Sequence, residues 1–102
     1  MSWTVIVDHA GGREYLQWKD QEYEAVDFHL MPSDEVLYPL LASIDRYDDA
    51  YFEPDKIDSF LREWSNAKAR FATEEEMRVW SHVHVMGLRA QQSGGRLIFV
   101  GD

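Results

Sequence analysis

Residues 96–100, Arg-Leu-Ile-Phe-Val, constrain the fold most, because they place four large apolar side chains in succession. A strand with apolar residues on both faces belongs inside a covered sheet, with a neighbour on each side. The chain must therefore supply further strands and a helical layer. Thr73-Glu74-Glu75-Glu76 supplies one helix start. Thr73 caps, Glu76 completes a capping box, and the three acids favour the positive end of the helix dipole. The spacing predicts a helix to about Gln92 with Met77, Trp80, Val83, Met86, Gly87 and Ala90 inward, ended by Ser93-Gly94-Gly95.

Upstream, Ile57, Phe60, Leu61 and Trp64 fall at i, i+3, i+4 and i+7, an apolar helical stripe entered through Pro54. Another helix is predicted over Val36, Leu37, Leu40, Leu41 and Ile44, capped by Ser33 or Asp34. Pro39 either kinks that helix or stands in its first turn. The first third reads as strands. Residues 3–7 are β-branched, Gly11-Gly12 is a turn, and residues 13–18 put Leu16 and Trp18 on one face and Tyr15 on the other. Residues 23–30 alternate, with Val26, Phe28 and Leu30 on one face, a third strand. The expected architecture is one α+β domain over residues 1–102. A three-stranded antiparallel N-terminal meander is followed by three helices and a C-terminal strand that joins the sheet centrally.

With 102 residues, 45% of them hydrophobic, the chain has material for a core. It has no cysteine, which points to a reducing compartment, and residues 1–10 have no basic start of a signal peptide. A cytoplasmic location is expected. No apolar run reaches the roughly 20 residues that span a bilayer. Nineteen acidic residues stand against ten basic ones, a net charge of −9. That field repels phosphate backbones and anionic lipid, so neither nucleic acid nor membrane is the expected partner. It draws in a basic protein. Acidity that only maintains solubility is the commoner case.

Catalytic motifs are missing. His82 and His84 are about 200° apart on a helix and cannot chelate one metal together. On that reading one packs beside Trp80 and the other faces water. His9 and His29 would need a converging nucleophile or carboxylate to act as bases. The acids Asp45, Asp48, Asp49, Glu53, Asp55 and Asp58 are dense, but a calcium loop counted from Asp45 fails at Ala50 and Lys56, where glycine and glutamate are required. Paired carboxylates suit a glycosidase, but the chain leaves little room for a sugar cleft. Neither glycine pair matches a phosphate-binding loop, and no serine elbow or thiol nucleophile is present. No metal or cofactor is expected. Tyr47, Tyr51 and Phe52 interleave with the acids, a pattern suited to a protein interface in which Tyr anchors and acids steer. Phe52 is the expected core residue of the three. The plain alternative is a solvated connector between helices.

Ile44-Asp45, Tyr47, Asp49 and Phe52, then Phe60 to Trp64 (FLREW) and the ending Leu97 to Asp102, form a pattern over residues 36–102. It resembles small bacterial proteins akin to immunity proteins, which neutralise toxins exchanged between competing bacteria. The resemblance implies a cytoplasmic, non-enzymatic inhibitor that binds one toxin domain. The expected partner-binding residues are Asp45, Tyr47, Asp48, Asp49, Tyr51, Glu53 and Asp55. The alternatives are a small regulatory or assembly module, homodimeric through a strand edge, and a small His/carboxylate enzyme.

Overall fold

The computed structural model describes residues 4–16, 32–44 and 48–101. The predicted strand over 23–30, together with Asp45, Tyr47, Trp18 and His29, lies outside them.

Strands β1 (Thr4–His9) and β2 (Gly12–Tyr15) form a hairpin. Gly12 turns it at φ +128, a backbone conformation that L side chains rarely adopt. Strand β3 (Ala50–Phe52) follows, then helix α1 (Ile57–Asn66), helix α2 (Glu74–Ser93) and strand β4 (Arg96–Val100). All pairings are antiparallel and the order is β2-β1-β4-β3. The apolar last strand is therefore interior, as its composition requires.

Two predicted features are corrected. The acidic connector contains a strand: Ala50 and Phe52 turn inward, Tyr51 turns out, and Phe52 pairs with Leu97 on β4. The helix predicted over 36–44 is replaced by turns and one 3₁₀ turn, Leu41–Ser43. Three causes act together. The Asp34 carboxylate accepts the Val36 and Leu37 N–H groups at 2.9 and 3.2 Å, which favours a turn over a helix. Pro39 has no N–H to donate. The Glu63 carboxylate of α1 accepts the Leu40 and Leu41 N–H groups at 3.0 Å, in place of helical carbonyls. The described α+β fold thus has a four-stranded antiparallel sheet and two helices.

Helix α1 buries the predicted stripe Ile57, Phe60, Leu61 and Trp64. It is entered through a 3₁₀ turn at Pro54–Lys56. Helix α2 starts with the Thr73/Glu76 capping box and ends at Gly94 in the left-handed region (φ 66). Both helices cover the sheet face that carries Val5, Val7, Leu97, Phe99 and Phe52. They are joined by two indoles. Trp64 Nε1 donates to the Trp80 carbonyl at 3.0 Å, and Trp80 Nε1 donates to the Trp64 carbonyl at 2.9 Å. The rings stack at 6.4 Å, 6° apart, and Phe60 and His84 extend the column at its two ends. Each buried indole N–H thus has the partner that burial demands. Among the described residues no helix is long and apolar enough to cross a membrane.

Candidate functional site

The register places side chains of all four strands in rows on the sheet face opposite the helices. One row is charged. Asp8 on β1 stands opposite Arg13 on β2 and Arg96 on β4. Arg13 Nε lies 3.5 Å from Asp8 Oδ1, and Arg96 Nη2 lies 3.0 Å from Asp8 Oδ2. Arg96 Nη1 reaches Glu53 Oε1 at 3.5 Å, just past β3. The hydrogen bond from Arg96 to Asp8, followed by the Asp8 and Glu53 charges, raises the guanidinium above its already high value, so it stays charged. The next row is Tyr15, Ile6, Ile98 and Tyr51, with exposed tyrosines at both ends and buried isoleucines between.

Tyr51 is 53% exposed on β3, the rim of the described sheet. Its hydroxyl donates to Asp49 Oδ2 at 3.4 Å, and the Arg96 guanidinium lies 5.4 Å from its ring centroid. Asp49 Oδ1 accepts the Gly101 N–H at 3.1 Å, tying the strand to the chain after β4. Of the predicted binding residues, Asp48, Asp49, Tyr51, Glu53 and Asp55 are all exposed along one short segment. Asp49 and Glu53 take part in internal contacts, whereas Asp48 and Asp55 make no hydrogen bond or ion pair among the described residues. The structure adds Arg96 to the cluster. Forty-five residues separate it from Tyr51 in sequence, and only the β3–β4 pairing brings them together.

Three of the four histidines, His9, His82 and His84, lie among the described residues. His9 Nδ1 accepts the Gly11 N–H at 3.0 Å and Nε2 lies 3.2 Å from Glu14. With Nδ1 an acceptor, the ring proton sits on Nε2 and points at Glu14, leaving no lone pair for a substrate proton. Glu14 also binds Arg89 of α2 at 2.9 Å. His84 stacks on Trp80 at 4.7 Å, its Nδ1 buried without a hydrogen-bond partner among the described residues. His82 is half-buried and lines an open surface hollow with Glu14, Leu16 and Met86. Among the described residues no group of three or more His, Cys, Asp or Glu side chains is placed to hold a metal ion.

Comparison with family models, with curated proteins and with solved structures returned no match.

Proposed function

We propose that this chain is a non-enzymatic protein-binding inhibitor of the immunity type, which neutralises a basic toxin domain by direct contact through the Asp48–Asp55 segment. The supporting observation is the bracing of Tyr51. A half-exposed tyrosine is held between the Asp49 carboxylate and the Arg96 guanidinium, with Asp48 and Asp55, unpaired among the described residues, on either side. A ring already held in place loses little rotamer freedom on binding and serves as an anchor. Acids around it raise the association rate of a basic partner more than they deepen the affinity.

The test begins with a photo-reactive amino acid at position 51, cross-linked in the source cell, and the captured protein identified by mass spectrometry. Binding kinetics at two salt concentrations follow. Asp48→Lys with Asp55→Lys should slow association and flatten its salt dependence, and Tyr51→Ala should speed dissociation. The captured domain alone should arrest growth, and co-expression of this chain should relieve the arrest. Cross-links only to a second copy of the chain, or kinetics unmoved by all three substitutions, would overturn the binding surface. A captured domain that is harmless alone would overturn the immunity reading.

A further inference from the structure

We propose that the cleft between α1 and the turn over residues 34–41 docks an acidic peptide segment of a partner protein, one that carries apolar side chains beside its carboxylates. This surface is distinct from Tyr51 and rests on different residues.

The turn is pinned at several points. Asp34 takes the Val36 and Leu37 N–H groups on its side chain and the Tyr38 N–H on its carbonyl at 2.8 Å. Glu63 takes the Leu40 and Leu41 N–H groups. So braced, the turn holds Val36 89% exposed and Leu37 67% exposed. Adjacent large apolar side chains kept in water by a rigid turn are unfavourable unless something covers them. Beside them lies a cleft of about 460 Å³, with Leu37, Pro39 and Leu40 on one wall and Lys56 and Arg62 on the other.

The charges of that second wall specify the occupant. Arg13, Arg78, Arg89 and Arg96 each sit against a carboxylate, and Lys68 lies over the Trp80 ring. The side chains of Lys56 and Arg62 make no hydrogen bond, ion pair or ring contact among the described residues. In a chain with 19 acids against 10 bases, two cations on one cleft whose side chains have no partner among the described residues stand apart from the four paired arginines. Glu63 does not neutralise them by direct pairing, because its oxygens face the backbone of Leu40 and Leu41. Carboxylates answer Lys56 and Arg62, and an apolar side chain answers Leu37 and Pro39. A nucleic acid would meet the net charge of −9 over its whole length, which a short peptide does not.

The experiment is an amide-shift titration of the isotope-labelled full chain with three probes: a short peptide alternating Asp and Leu, the same peptide with Lys in place of Asp, and inorganic phosphate. The Asp-Leu peptide should give saturable shifts at residues 37–41 and 56–66, and the other two probes none. Lys56→Glu with Arg62→Glu should weaken that binding about tenfold or more, since both rim attractions become repulsions. Arg78→Glu, remote from the cleft, separates the local effect from the overall field and should leave affinity near the parent value. Leu37→Ser should weaken binding without moving shifts around Tyr51. The proposal is overturned by an absent or non-saturable response, by an equal response to phosphate or the Lys peptide, or by a loss in Arg78→Glu equal to that in the double reversal.

Discussion

Trp64 is the side chain whose removal tests the fold most sharply. It is 1% exposed and touches the rings of Phe60 at 6.0 Å, Phe71 at 5.3 Å and Trp80 at 6.4 Å. Trp64→Ala removes those contacts and leaves a cavity between α1 and α2, a loss of about 3–5 kcal/mol for a buried aromatic. The reciprocal hydrogen bonds do not fail together. The indole of Trp64 is lost as a donor, but its backbone carbonyl still accepts from Trp80. Trp64→Phe keeps a ring in the column and loses the donor and part of the area, so about 1–3 kcal/mol is expected. Domains of this size have a total stability of about 5–15 kcal/mol. The alanine variant should therefore melt at least about 12 °C lower, and the phenylalanine variant should lie between it and the parent. Urea unfolding followed by far-ultraviolet circular dichroism measures both without relying on the indole signal being altered. A loss below about 1 kcal/mol for Trp64→Ala would refute the burial argument. Equal losses in the two variants would show that the ring column contributes nothing beyond the hydrogen bond.

The two glycines after α2 should respond differently to alanine. Gly95→Ala puts a methyl 2.6 Å from the Asp8 carbonyl oxygen and should cost about 1–3 kcal/mol through forced backbone movement. Gly94→Ala meets no atom within 4 Å and should cost only the left-handed backbone penalty, about 1–2 kcal/mol. Thermal melts that rank these two with Gly94→Ala far worse would contradict the close approach at Gly95. Glu63→Ala leaves the Leu40 and Leu41 N–H groups without an acceptor, about 1–3 kcal/mol each, whereas Glu63→Gln keeps one acceptor and should fall between. Hydrogen exchange at Leu40 and Leu41 should rise in both variants, and an unchanged rate would show that the carboxylate does not hold the turn.

Much of the fold was legible because its signals are local. The Thr73 capping box, the stripe from Ile57 to Trp64 and the glycine at the end of α2 each act within one or two helical turns, and each stands where the spacing puts it. The turn over residues 34–41 misled for the opposite reason. Val36, Leu37, Leu40, Leu41 and Ile44 do have helical spacing, but Val36 and Leu37 are exposed, so two of the five positions have no core to face. What overrides the periodicity is Glu63, 22 residues beyond Leu41 and itself part of another helix. A pattern search counts apolar positions and cannot register a carboxylate that arrives from elsewhere to replace helical acceptors.

Strand β3 was missed because three residues are too few to show alternation. Its acids and Pro54 also give the surroundings the composition of a loop. Once Ala50, Tyr51 and Phe52 are paired with Phe99, Ile98 and Leu97, alternation decides each role. Phe52 must enter the core and Tyr51 must leave it, on the face where β4 presents Arg96. The aromatic and the acids were therefore readable as residue types, while their bracing was not. That bracing changes which acids matter. Reversing Asp49 would release both the Tyr51 hydroxyl and the Gly101 N–H, so a binding defect there would mix steering with disorder of the strand. Asp48 and Asp55 touch neither, and a slower association in their double reversal reports the field alone.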